Sequence, residues 1–235
     1  KGQAGNQWIT LVNLANSSLT SYVDNAGITL GQTYEYFIVR GTTFNAFGYA
    51  HVAVRSAVTD TRGKILVFVD STTADAIGVE LVRLKNDMRG DGWIATPYKV
   101  GPSATPESVK AQILAAFTAE PQAVKSVLLI GSVPIPYSGE ANWDGHPDHT
   151  GAWPADSYYA DLNGVWTDVS SDNDTSARLA NRNVPGDGKY DQSYIPSAVE
   201  LQVGRIDFRR INAPAFGEAD AIGLIRRYLD KNHAW

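Results

Sequence analysis

"KILVFVD", residues 64–70, runs five apolar side chains in succession between a lysine and an aspartate, with no position left to face water. A strand apolar at every position is buried on both faces, which is the signature of a parallel sheet covered by helices on either side. The chain downstream keeps that pattern. From Asp75 a helical stripe sets Ile77, Leu81, Leu84 and Met88 on one face and closes at "RGDGW". "WIATPYKV" (93–100) reads as a second strand. Thr105-Pro106-Glu107 combines an N-cap, a proline at the first helical position and a favourable acid, opening a helix with Val109, Ile113 and Phe117 on one face. "VKSVLLIGSVPIP" (124–136) supplies a third strand ending at Gly131, and "ELQVGRIDF" (200–208) a fourth. Ile222, Ile225 and Leu229 mark a last helix, whose run into "YLDKNHAW" without a C-cap suggests a longer parent chain. Alternating strands and helices of this length predict an α/β fold with a parallel sheet and flanking helices. In such a sheet ligands gather at the carboxyl ends of the strands, here Asp70 to Thr73, Gly131 to Pro136 and whatever follows the fourth strand.

Upstream of this unit the pattern changes. Residues 1–58 alternate apolar and polar positions in "QWITLVN", "TYEYFIVRG" and "GYAHVAVRSAV", which predicts a small antiparallel β-segment. The polar "TDTRGK" (59–64) marks the boundary, so the expected domains are 1–58 and 62–235. "ITLGQTYEYFIV" resembles the end of a fibronectin type III domain, with Ile28, Gly31 and Tyr34 in the places that build a tyrosine corner. The resemblance implies a partial domain of about the last four strands, its first strands upstream of Lys1. A small β-extension of the next domain accounts for the same residues.

The 235 residues carry a net charge of −5, unevenly spread. A long insertion of little periodicity, 134–198, holds ten acids against three bases, a net −7 that leaves the rest of the chain at +2. Such a block repels phosphate backbones and attracts cations, so no nucleic-acid partner is expected. No apolar run approaches the roughly 20 residues of a membrane-spanning helix, and "KGQAGNQW" has no signal-peptide core, so a soluble protein with any export leader upstream is expected. With no cysteine in the sequence, disulfides, thiolate metal sites and a cysteine nucleophile are excluded within these residues.

Several stretches invite a site. "GSVPIP" follows a strand, yet it lacks the spacing of a phosphate loop, and its two prolines remove amide donors. "DGHPDH" (144–149) sets His146 and His149 beside Asp144 and Asp148, groups that ligate zinc; a polar surface loop with solvated imidazoles accounts for them too. In "DVSSDNDTSARLANRNVPGDGKYDQS" (168–193), Asp172, Asp174, Asp187 and Asp191, with Asn173, offer hard oxygens on Gly-rich turns, which predicts a Ca²⁺ site at these aspartates. Ordinary turn chemistry uses the same residues, and the spacing is not that of an EF-hand. No GxSxG elbow occurs, and none of His51, His146, His149 and His233 has a nucleophile assigned by spacing. "GAWPADSYYADLNGVW" (151–166) alternates like a strand and then turns at Asn163-Gly164.

Together, "SVLLIGSVPIP", "PADSYYADLNGVWTD" and "ELQVGRIDF" resemble the amino-terminal half of the gingipain-type cysteine peptidases, the peptidase C25 family. The matching positions are Leu128 to Gly131, Ala155-Asp156 with Tyr158 and Tyr159, and Glu200 to Arg205 followed by Ile206, within a likeness that spans about 62–235. "PGDGKYDQS" is also typical of large secreted bacterial proteins that resemble this family and carry fibronectin-type modules in front of it. The resemblance implies a caspase-like arrangement of two α/β subdomains. It puts the catalytic histidine, in a Gly-His-Gly turn, and the catalytic cysteine in the second. Neither motif is in this sequence, so no catalytic residue carries over. The implied function is the non-catalytic first subdomain of a secreted or cell-surface cysteine endopeptidase, with the catalytic half and its protein substrate as partners and Asp156 organising the loop or a cation. The alternative is a calcium-stabilised extracellular binding or adhesion module without activity, presenting Trp143, Trp153 and Trp166.

Overall fold

In the computed structural model, residues 8–14, 18, 20–41, 46–55, 60–211, 217 and 219–235 are described. The chain divides into two compact units, Lys1–Asp60 and Thr61–Trp235.

In the first unit, β1 (Thr33–Arg40) pairs antiparallel with β2 (Ala46–Ala53), Tyr34 opposite Val52. Tyr34 is buried, and its hydroxyl accepts from Thr29 N (2.7 Å) and donates to Gly27 O (3.2 Å). That is the bond pattern of a tyrosine corner. Residues 8–13, expected as part of a strand, form no ladder. Residues 56–58 and Gln7 lie outside the described residues.

The second unit is built on a four-stranded all-parallel sheet in the order β4-β3-β5-β8. Its strands are β3 (Gly63–Asp70), β4 (Trp93–Val100), β5 (Val124–Ile130) and β8 (Gln202–Ile206). The five apolar residues of 65–69 divide between the faces with the period of a strand. Leu66 and Phe68 join a core with Val109, Ile113, Leu129, Tyr158, Tyr159 and Leu201. Val67 and Val69 join another with Ile77, Leu84, Ile130, Ile206, Ile225 and Leu229. Helix α3 (Pro106–Ala119) and the insertion cover the first face; α1 (Ser71–Ala76), α2 (Gly78–Gly90) and α5 (Ala221–Ala234) cover the second.

The stripe from Ile77 to Met88 packs as expected, with Ile77 at a break between two helices and the other three residues on the second. Asp70 ends its strand and its carboxylate takes Thr73 N, starting α1 four residues before the periodicity shows. The helix breaks at the fully buried Ile77 and restarts at Gly78, a poor helix former. At α3 the expected cap is present as a reciprocal box, with Ser108 N donating to Thr105 Oγ1 and Thr105 N donating to Ser108 Oγ.

Within the insertion, β6 (Tyr137–Ala141) pairs antiparallel with β7 (Gly151–Pro154). The alternation of 151–166 is misleading beyond Pro154. Residues 157–160 form a one-turn helix, α4 (Ser157–Ala160), that buries both tyrosines, and the chain then loops back on Asp161. Among the described residues no helix is long and apolar enough to cross a membrane.

Candidate functional site

Chain order β3, β4 on one side and β5, β8 on the other makes the gap between β3 and β5 the switch point, where an open α/β sheet forms its ligand crevice. Here the protein closes that crevice with its own carboxylate. Asp70 is buried and accepts from Thr73 N at 3.1 Å and from Ser132 N at 2.6 Å, tying the ends of the two strands together. Gly131 permits this. Its φ is +76°, and a Cβ there would stand 2.0 Å from Asp70 Oδ2 and 2.4 Å from Thr73 Oγ1. Two grooves on this unit, of about 320 and 410 Å³, lie elsewhere and are lined by neither Asp70 nor Ser132.

Beside that closure, Arg205 from β8 spreads its guanidinium over two other segments. Nε and Nη2 donate to the two carboxylate oxygens of Asp156 at 2.7 and 2.8 Å, Nη1 donates to Val133 O and Nη2 also to Pro134 O. A planar fork is the side chain suited to such multidentate bonding. One turn on, Asp207 is bound by both Nε and Nη2 of Arg209. Burial raises the Asp207 pKa, but those bonds outweigh it and hold the carboxyl below its ordinary value. Asp156 is thus fixed by Arg205, a residue of the matched stretch "QVGRI" to which the sequence assigned no partner. The signal was present: an arginine next to the buried end of a sheet strand needs acceptors.

The acids of the insertion are mostly spent on backbone donors. Asp161 is fully buried and accepts from Gly164 N (2.8 Å), Ser197 Oγ (2.6 Å) and Trp166 Nε1 (3.1 Å). A Cβ at residue 164 would meet its carboxylate at 2.0 Å, so the "ADLNG" turn needs that glycine. Asp168 receives Gly186 N and Gly188 N, both at 2.7 Å. Lys110 lies 4.1 Å from the centroid of the Tyr158 ring, which stacks on Tyr190. Burial lowers the lysine's pKa, and burial raises those of both tyrosines.

The aspartates expected to hold calcium have separate occupations. Asp191 accepts from the amides of Val169, Ser170 and Ser171 and from the Thr167 hydroxyl. Asp187 takes Val184 N, Lys189 N and the Lys189 ammonium at 2.7 Å. Asp172 and Asp174 are exposed. Asn173 pairs through its backbone with Asn183 and accepts from Thr175 N and Ser176 N. Among the described residues these four carboxylates form no common ligand group, and the two that are held in place are bound by amide donors, a hydroxyl and a lysine.

Among the described residues, the acid and histidine atoms that do converge are those of Asp144, His146 and His149, all within 4.8 Å of one another. His149 Nδ1 is 2.5 Å from Asp144 Oδ2 and His146 Nδ1 is 3.5 Å from Asp144 Oδ1. Hydrogen bonding from His149, then from His146 N, lowers the Asp144 pKa to about 2. Of the other histidines, His233 pairs with Asp87 and His51 is exposed on β2. Only Trp143 of the three tryptophans expected on the surface is exposed; Trp153 and Trp166 are half-buried, the latter against Tyr158 and Tyr190. No protein-family model matches this chain, and no curated protein or solved structure matches it either.

Proposed function

We propose that residues 61–235 are the first, non-catalytic subdomain of a secreted gingipain-like cysteine endopeptidase, a caspase-like scaffold for a catalytic half encoded beyond this sequence. The observation that carries the reading is Arg205. Its guanidinium bonds Asp156 of "PADSYY" and the carbonyls of Val133 and Pro134 of "GSVPIP" from within "QVGRI". The three segments of the family resemblance are thus one physical unit, and each residue type in them has a use. The sealed crevice at Asp70 and Ser132 agrees with a subdomain that carries no chemistry of its own.

The 235-residue chain alone should show no iodoacetamide-sensitive proteolysis, since the thiolate is the nucleophile in that chemistry and the sequence has no cysteine. A parent reading frame that continues into a Gly-His-Gly turn and an apolar strand ending in cysteine, with iodoacetamide-sensitive cleavage by the whole protein, is the expected result. A parent without that pair overturns the proposal.

A second reading, a binding or adhesion module, is favoured by one feature of the first unit. Trp8, Phe37, Phe47 and Tyr49 form an exposed aromatic cluster, with Phe37 and Tyr49 stacked at 4.7 Å. Such a platform suits a glycan or peptide partner. Calcium stabilisation of that module would compete with the amides and the lysine that hold Asp187 and Asp191, while Asp172 and Asp174 are exposed. Retention of the chain on an immobilised ligand, lost in Tyr49→Ala, would favour it.

A further inference from the structure

We infer that the loop joining β6 to β7 is a zinc site whose ligands are Asp144, His146 and His149. The inference is independent of the peptidase reading and rests on different residues. Imidazole and carboxylate together are a donor set that zinc accepts, and imidazole favours zinc over the oxygen-seeking Ca²⁺ and Mg²⁺. Tetrahedral zinc with bonds of about 2.0 to 2.1 Å needs donor atoms about 3.3 Å apart. His146 Nδ1 and Asp144 Oδ1 already stand at 3.5 Å. The 2.5 Å between His149 Nδ1 and Asp144 Oδ2 is a hydrogen-bond distance, so a proton fills the place of the cation. The two imidazoles meet different oxygens of the Asp144 carboxylate, so replacing that proton by zinc requires His149 Nδ1 and Oδ2 to part by about 0.8 Å and the carboxylate to turn one oxygen toward both rings, a small rotation for side chains that are both partly open to solvent.

The backbone makes the convergence hard to avoid. Gly145, at φ +80°, reverses the chain just after Asp144, and His146 N donates to Asp144 Oδ1 at 3.2 Å. Pro147 then opens a 3₁₀ turn over Pro147–His149, closed by His149 N on His146 O, which returns the second imidazole to the same carboxylate. The loop is held from behind. Asp148 O accepts from Ala177 N at 2.7 Å, and Thr150 O accepts from Asn173 Nδ2 at 3.2 Å. The Asp148 carboxylate, 3.9 Å from His149 Nε2, stands near enough to supply an outer bond or, with rearrangement, a fourth ligand; otherwise water completes the shell. Zinc here would staple the loop that closes the β6–β7 hairpin.

The test is calorimetric titration of Zn²⁺ into the full chain, untagged and stripped with chelator, alongside Asp144→Ala, His146→Ala and His149→Ala. One equivalent of zinc should bind the native chain, and each substitution should weaken it at least about 10-fold, the effect that even outer-shell changes produce. His51→Ala and His233→Ala should bind unchanged. Independently of any variant, zinc should protect His146 and His149, but not His51, from diethyl pyrocarbonate, read by mass spectrometry. Absence of a stoichiometric site, unchanged affinity in folded variants, or equal modification of all four histidines with and without zinc would overturn the inference. Neither result bears on whether the parent is a peptidase.

Discussion

At Gly131 a single hydrogen atom decides whether the sheet can close. The residue sits at φ +76° with Asp70 and Thr73 packed where a methyl group would go. Gly131→Ala therefore adds backbone strain to a clash with two polar atoms that have no room to retreat. A loss of about 3 to 4 kcal/mol in urea unfolding is expected. Gly90→Ala, in a helix with open space around it, should raise stability by about 0.5 kcal/mol. Equal effects from the two would show that the crevice at Asp70 is not closed. Sequence could name Asp70 and Gly131 as strand ends, but not that they touch, because 61 residues of chain separate them. The same limit hid the fate of Asp187 and Asp191. Asp, Asn and Gly are shared vocabulary between cation loops and turns, and only coordinates show which donors reach the carboxylates first. The convergence of Asp144, His146 and His149 was legible because all three lie within six residues.

Elements were legible wherever burial imposed a period. All four strands of the parallel sheet and the α3 cap could be read, since apolar runs, proline and threonine each carry a local rule. Reading failed where tertiary bonds override local pattern. Ser71–Ala76 has little helical character of its own and is helical because Asp70 caps it. Ser157–Ala160 turns into a helix because Tyr158 and Tyr159 both find buried positions, which a strand of period two would have sent to opposite faces. At this scale the fastening of β8 to the insertion rests on Arg205. Arg205→Met removes bonds to one carboxylate and two carbonyls and should cost about 3 kcal/mol. Arg205→Lys should recover less than half of that, as an ammonium cannot make the fork. Chemical denaturation of the two variants checks this, and a lysine variant as stable as the native chain would remove the clamp from the argument.

For the molecule as a whole, both cores consist of residues downstream of Thr61, within the second unit. A fragment of residues 61–235 should fold with one cooperative transition, monitored by near-ultraviolet circular dichroism. Its acid response should be set by the insertion. Burial works against the ionised form of Asp191, yet the amides of Ser171, Val169 and Ser170 and the Thr167 hydroxyl outweigh it and lower its pKa far below the ordinary carboxylate range. Asp161, Asp187 and Asp207 are shifted in the same direction, each with burial opposed by hydrogen-bond donors. A carboxyl whose folded pKa lies under its unfolded value of about 3.9 gives its full stabilisation above that pH. The contribution is lost as pH falls toward the folded value, because the unfolded chain binds the proton first. Stability of the fragment should therefore be level in this respect above about pH 5 and decline steeply below about pH 4. In Asp191→Asn the neutral pH stability should drop, since an amide offers one acceptor where four donors converge, and the acid decline should be shallower. Urea midpoints taken from pH 3 to pH 7 measure both quantities; parallel curves for the two proteins would mean that Asp191 is not one of the groups through which acid unfolds this fold.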